Sequence, residues 1–130
     1  MKDMMMEIYD FLCADPTIAE HIDKTRIKFY ELPETFDASK PFIILDVLDP
    51  ISDSTFGSNK PLNQGFSYQI NVETDNRVLT KEISKAVKDA MWEHGFRQLN
   101  GGLDEYFKET KRFVDARRYR TQTKLYEHNY

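Results

Sequence analysis

The segment Phe66–Glu73 constrains the fold more than any other part of this sequence. Its eight residues alternate between apolar and polar side chains without a break. This period of two predicts a β-strand with one face buried and the other exposed. The run Phe42–Leu48 is almost entirely apolar and predicts a strand that is covered on both faces. Together the two segments predict a sheet at the centre of the fold.

The segment Asp49–Gly65 lies between these two strands and is mostly polar. It contains Pro50, Gly57, Pro61 and Gly65, and proline and glycine interrupt regular structure more strongly than other residues. We therefore predict a long loop, well beyond the roughly 2–5 residues of an ordinary hairpin turn. Long ordered loops frequently bind a partner, so we expect a contact arm here. Its candidate interface residues are Ser54, Phe56, Ser58, Asn59, Lys60 and Asn63.

Two amphipathic segments predict the main helices. The first runs from about Asp3 to Ala14, and its apolar stripe consists of Met4, Met5, Ile8, Phe11 and Leu12. Asp15 and Pro16 end it and begin a short helical turn. We predict that Thr80 caps the second long helix and that Gly95 is its left-handed C-cap.

Three further segments predict the remaining strands: Arg26–Glu31, Phe96–Leu99 and Lys111–Lys124. The predicted order of elements is α–β–β–β–α–β–β. The whole chain, residues 1–130, is therefore expected to form a single α+β domain. We predict a mostly antiparallel sheet of four to five strands, with the two main helices packed on one face.

The charge is unevenly distributed along the chain. The net charge of −4 argues against a dedicated nucleic-acid binder. Residues 1–60 hold six Lys/Arg and twelve Asp/Glu, a balance of −6, whereas residues 106–130 hold seven and three, a balance of +4. Such opposite charges can pair within the fold or between copies. They can also be plain solvated surface.

Three features bear on the cellular location. No stretch of eighteen apolar residues is present, so no membrane-spanning helix or membrane partner is expected. The N-terminus carries acids within its short apolar stretch, which is untypical of a secretory signal. Cys13 is the single cysteine, which rules out an internal disulfide and suits a reducing compartment.

Motifs for catalysis, metals and phosphates are incomplete. His21, His94 and His128 lack the spacing of a zinc site. The sequence has neither a nucleophile elbow nor a phosphate-binding glycine loop. We therefore predict no catalytic residues, no metal ligands and no cofactor.

Acidic residues gather at the ends of two predicted strands, where carboxylates can hold magnesium. They are Asp46, Asp49, Asp53, Glu73 and Asp75. Together with the order of elements, they resemble the restriction-type nuclease core, in which a lysine follows the second acid by two residues. Asp75 occupies that position after Glu73. We therefore predict that the chain is not an enzyme, and a nuclease-like metal-dependent enzyme is the alternative from another class.

The one basic cluster is Arg117–Arg120. Strand alternation places Arg118 and Arg120 on one face and Arg117 and Tyr119 on the other. A flat nucleic-acid surface would leave half of these side chains unused, so we favour a protein interface that includes Arg117, Arg118 and Arg120. Pairing with acids on the same sheet and contact with DNA remain the alternatives.

Several segments together carry a resemblance to a known group of proteins. In chain order they are Arg26–Tyr30, Lys40–Leu45, Phe56–Asn59, Tyr68–Val72, Met91–Phe96 and Arg118–Arg120. The chain resembles small structural proteins of long-tailed (siphovirus) phages and prophages of Gram-positive bacteria, which are encoded among the head–tail joining and tail genes. The resemblance spans most of the chain and rests on a pattern of strands and turns.

Among these proteins the chain looks like the tail terminators. These are α+β subunits that form a six-membered ring, cap the tail tube and join it to the head. The resemblance implies a homo-oligomeric ring, most simply a hexamer, with tail-tube and neck proteins as partners. It implies assembly in the host cytoplasm, a final location in the virion, and at most non-specific contact with DNA in the lumen. A neighbouring neck connector or a minor tail protein fits the same pattern.

Overall fold

The structure is a computed structural model that describes residues 3–57 and 60–124, with the backbone alone for 49–57, 60–64 and 122–124. The elements in chain order are α1 (Met4–Ala14), α2 (Pro16–His21), a 3-10 turn (Lys24–Arg26), β1 (Ile27–Phe29), β2 (Phe42–Gly57), β3 (Lys60–Thr74), α3 (Arg77–Glu93), β4 (Arg97–Gln98), β5 (Leu103–Phe107) and β6 (Arg112–Lys124).

The strands form one mixed sheet in the order β1-β2-β3-β6-β4, and β5 also pairs with β6. The β1–β2 pair is parallel and the other described pairs are antiparallel. The predicted α+β class is confirmed. The sheet has six strands, one more than the four to five predicted. The additional strand is β5 (Leu103–Phe107). Most of its side chains are exposed, so no alternation marks it in the sequence.

The first two helices form as their caps predict. The Asp3 carboxylate accepts hydrogen bonds from the backbone N–H groups of Met5 and Met6. Asp15 ends α1 and caps α2, in which Pro16 takes the first position. No helix among the described residues is long and apolar enough to cross a membrane.

Helix α3 begins earlier than predicted. Asn76 is its N-cap and accepts from the Leu79 N–H at 3.1 Å, so the assignment of Thr80 as cap is wrong. Thr80 is buried, and its hydroxyl bonds to the Asn76 carbonyl and to the Thr74 hydroxyl. The sequence alone does not distinguish the two positions, because Asn and Thr are both favourable N-cap residues.

Gly95 is the left-handed C-cap that the sequence predicts. Its φ is +85°, and its N–H donates to the Trp92 carbonyl at 3.1 Å. The N–H of Phe96 donates back to the Met91 carbonyl at 2.9 Å. These two bonds form a Schellman motif, which ends the helix and turns the chain toward β4.

The helices pack on one face of the sheet. Residues that are partners in neighbouring strands point to the same side, and Leu45, Ile70 and Arg117 form one such row. The main buried cluster joins this face to the three helices. Its members include Met4, Ile8, Leu12, Ile18, Ile43, Leu45, Tyr68, Ile70, Val72, Ile83, Val87, Met91 and Tyr119. We call this side the helix face and the opposite side the open face.

The predicted loop at Asp49–Gly65 is wrong, because strands β2 and β3 run through this segment. Asp53 pairs with Gln64, and the ladder continues to the Gly57–Lys60 pair. The register shifts at several points between Val47 and Phe56, and such bulges absorb residues that break the alternation.

The prolines in this segment occupy tolerated places. Pro50 lies in β2, whose outer edge beyond Leu45 has no strand partner among the described residues. Pro61 lies in β3, beyond its last described pair with β6 and beside a register shift. Edge strands and bulges accept proline. We call Phe42–Leu48 with Phe66–Thr74 the root of the hairpin. We call Asp49–Gly57 with Lys60–Gly65 the arm.

Candidate interaction surfaces

The predicted interface residues of the arm lie on paired strands. Ser54 and Phe56 belong to β2, and Lys60 and Asn63 belong to β3. Ser58 and Asn59 lie outside the described residues.

Strand β6 supports the inner part of the arm. Asn63 pairs with Lys124, where the description of β6 ends, while the Phe56–Pro61 and Gly57–Lys60 pairs lie further along the hairpin. Backbone hydrogen bonds on such a ribbon restrict its shape more than they would in a loop. The arm is therefore stiffer than the loop that the sequence predicts.

Arg117 is held on the helix face by a carboxylate of its own strand. Asp115 is 1% exposed, and its Oδ1 accepts from Arg117 Nε at 2.7 Å. Helix α3 supplies two more donors to this carboxylate, Ser84 Oγ at 2.8 Å and Lys81 Nζ at 3.1 Å. Asp104 on β5 also pairs with Lys81. The cluster joins α3, β5 and β6, so Arg117 has a structural partner within the chain.

Hydrogen bonding decides the ionisation of Asp115. Burial by itself would raise the pKa of this carboxyl, but the bonds from Arg117, Ser84 and Lys81 outweigh it and hold the pKa below its usual value. The pKa of Arg117 is raised by the same hydrogen bond. Both groups are therefore charged at neutral pH.

Arg118 and Arg120 lie on the open face, as alternation predicts. Arg120 Nη1 donates to the buried Ser67 hydroxyl at 2.8 Å. Arg118 is opposite Gln69, and its buried Nε has no hydrogen-bond partner in the described part of the chain. A Cβ added to Gly101 would lie 3.5 Å from Arg118 Nη1, so the β4–β5 connection contacts the guanidinium.

Arg112 on the same face shows a different arrangement. Its Nε lies 3.1 Å from Glu73 Oε1, and its Nη2 donates to the carbonyls of Lys40 and Glu73. Burial raises the pKa of the Glu73 carboxyl, although Arg112 opposes this. The open face therefore has one arginine with a carboxylate partner and, in Arg118, one without a partner among the described residues.

A cleft beside β4 was not predicted from the sequence. One part has a volume of about 290 Å³ and is lined by Gly95, Arg97, Leu99, Arg120 and Thr121. The adjoining part, about 310 Å³, is lined by Trp92, Gly95, Phe96 and Arg97. The Trp92 side chain is 64% exposed, and Arg97 Cζ lies 5.6 Å from its ring centre. An outward tryptophan in the next-to-last position of α3 was the available signal. We call these residues the basic cleft.

A larger pocket lies between α1 and the C-terminal end of α3. Its volume is about 480 Å³, and its lining is Met4, Glu7, Asp10, Phe11, His94, Phe96 and Thr121. The Phe11 and His94 rings stack with centres 4.0 Å apart. Phe96 and Thr121 border both this acidic pocket and the basic cleft, so opposite charges lie side by side at this end of the sheet.

The described acids Asp46 and Glu73 do not come together as a nuclease site would require. Asp46 pairs with Gln69, four residues along β3 from Glu73, which corresponds to roughly 13 Å at the rise of a strand. One magnesium ion cannot bridge that separation. Among the described residues no three His, Cys, Asp or Glu side chains form a metal-binding group. The side chains of Asp49 and Asp53 are outside the description.

Comparison with known proteins gives a likeness in structure. No protein-family model matches the sequence, and no curated protein matches it. A solved chain from the virion of a native gene transfer agent particle is similar in structure, with a TM-score of 0.61 and 17% sequence identity. The alignment covers 90% of this chain and 91% of that chain. At this identity the likeness establishes the fold, and it does so over nearly the full length of both chains.

Proposed function

We propose that this chain is a non-enzymatic structural component of a phage-like virion. The observation that carries the proposal is the likeness in fold, across 90% of the chain, to a chain of a gene transfer agent virion. The separation of Asp46 and Glu73 argues against the nuclease alternative. The segregated charges and the paired arm suit a subunit that contacts other proteins.

Within the virion, the proposed role is that of a tail terminator or head–tail joining protein. Copies would form a ring, most simply a hexamer, at the end of the tail tube, with tail-tube and neck proteins as partners. The arm, including Ser54, Phe56, Lys60 and Asn63, would contact a neighbour. Arg118 and Arg120 would meet acids of another subunit, whereas Arg117 already pairs with Asp115. DNA in the lumen would be contacted at most non-specifically.

The experiment is deletion of the gene, followed by electron microscopy of the particles. A terminator predicts tails of uncontrolled length that lack heads. A neck connector predicts tails of normal length without heads, and a minor tail protein predicts complete head–tail joining. Mass spectrometry of purified wild-type virions must detect the chain, since its absence from the particle contradicts the whole proposal.

A further inference from the structure

We infer that the basic cleft beside β4 receives the outward face of helix α1 from a second copy of this chain. The inference rests on the proposed function, because it names the contact by which copies would join. The acidic stripe is the name used here for the outward residues of α1 and its cap. They are Asp3, Met6, Glu7 and Asp10.

The chemistry of the cleft selects an anionic partner with an apolar side chain beside its charge. Arg97 and Arg120 line it, and no carboxylate does so among the described residues. Arg97 is exposed, and Trp92 offers an accessible ring next to it. Tryptophan and arginine are the residues in which interface binding energy concentrates. The cleft therefore has the composition of a protein-binding site.

The acidic stripe has the matching chemistry. Its residues are spaced i, i+3, i+4 and i+7, so they project from one side of the helix. Every charged residue between Asp3 and Ala14 is acidic. Met6 is 42% exposed, and Asp10 forms no salt bridge within the described part of the chain. The stripe thus presents carboxylates around one accessible thioether.

The two surfaces can be matched group by group. The carboxylates of Glu7 and Asp10 would face Arg97 and Arg120. The thioether of Met6 would lie against the Trp92 ring, a favourable sulfur–aromatic contact. Charge complementarity of this kind also fixes the register between partners.

A second copy fits the cleft better than the phosphates of duplex DNA. Glu7 and Asp10 border the acidic pocket, which meets the cleft at Phe96 and Thr121. Their negative charge would repel a polyanion that lies along this end of the sheet. The stacked bases of a duplex would also leave the exposed Trp92 ring without a partner.

When a copy uses its stripe on one neighbour and its cleft on another, the contact is heterologous. The acidic stripe and the basic cleft share no residue, and each copy can use both at once. Repetition of such a contact produces a ring when the rotation between copies closes. The inference therefore gives the proposed ring a specific subunit interface.

Charge reversal tests the contact in the isolated full-length protein. Arg97→Glu and Asp10→Lys should each weaken self-association roughly 10- to 100-fold, because like charges would face each other. The double variant should regain wild-type association, since Lys at position 10 would then face Glu at position 97. Sedimentation velocity over a concentration series measures this. Lys108→Glu and Glu109→Lys, in the turn between β5 and β6, are matched controls and should associate like the wild type.

Cross-linking locates the contact independently. In an Arg97→Lys variant, a carbodiimide should couple Lys at position 97 to Glu7 or Asp10, and mixing isotopically labelled with unlabelled protein should show that the link joins two copies. Copies that do not associate, links that avoid these residues, or a double variant that is no better than the single ones would overturn the inference. So would salt-sensitive binding of duplex DNA that Arg97→Glu abolishes while self-association is unchanged.

These experiments test the contact and the proposed function separately. Association through these surfaces by a chain that is absent from virions would keep the contact and reject the virion role. Normal incorporation of the Arg97→Glu variant into virions would reject the contact and keep the role.

Discussion

The root and the arm of the β2–β3 hairpin belong to one continuous ladder but have different surroundings. In the root, the register from the Phe42–Glu73 pair to the Val47–Tyr68 pair is regular, and the buried apolar side chains other than Phe42 face the helices. In the arm, the register shifts repeatedly and two prolines interrupt the backbone donors. Strand pairing therefore continues beyond the region where a core imposes alternation. The core therefore constrains the sequence of the root, whereas the arm is available for contacts with other proteins.

The largest expected effect comes from a cavity in the root. Ile70 is 1% exposed and lies between Leu45 and Arg117 in the sheet. Ile70→Ala should lower the free energy of unfolding by about 2–5 kcal/mol, because it removes buried methylene groups and leaves a void. Denaturant unfolding measures the change. Val78→Ala, at a position that is 68% exposed, is the control and should have little effect.

The next effect concerns the carboxylate that ties the sheet to α3. Asp115 pairs with Val72 of the root, and its loss would leave Arg117 and Lys81 with the more exposed Asp104 as their shared carboxylate. Asp115→Asn should cost about 1–3 kcal/mol at pH 7. Glu105→Gln, an exposed neighbour on β5, is the control and should be nearly neutral.

The same residue gives a pH dependence with a defined sign. The folded pKa of Asp115 is lowered, so its contribution is complete above the pKa of the unfolded chain. That contribution is lost as the pH falls through the folded pKa. The difference in unfolding free energy between wild type and Asp115→Asn should therefore shrink below roughly pH 4. A difference that grows on acidification would contradict the assigned ion pair.

The smallest effect on stability is expected in the arm. Asp53 and Gln64 are partners in the ladder, so an Asn-Gly turn in place of Ser54–Asn63 can close the hairpin between them. Because the described core residues of the hairpin lie in the root, unfolding should change by no more than about 1 kcal/mol. Incorporation into particles should fail, because the arm would no longer reach its neighbour. Global unfolding of this variant would mean that the arm belongs to the core.

The contrast between root and arm also explains what the sequence could predict. Phe66–Glu73 alternates because one face is buried, and its strand was predicted correctly. The arm was missed because backbone hydrogen bonds hold it together and its bulges break the alternation. Strand β5 was missed for a related reason, since most of its side chains are exposed at a sheet edge.

The candidate interaction surfaces likewise have a part that the sequence predicts and a part that only the structure reveals. Alternation correctly placed Arg118 and Arg120 apart from Arg117. The partner of Arg117 is two residues away in sequence, but Ser84 and Lys81 reach the same carboxylate from α3. The basic cleft combines Trp92, Arg97 and Arg120 from a helix and two strands, and only the tertiary fold brings them together.

The tail-length distribution of particles made with the arm-shortened chain is the decisive measurement for the proposed role of the arm in the virion. The variant replaces Ser54–Asn63 with an Asn-Gly turn, and its unfolding free energy must first match the wild type. We expect a folded subunit that fails to join the particle, with tails of uncontrolled length in electron micrographs. Particles that contain the shortened chain and carry heads on tails of uniform wild-type length would overturn this expectation.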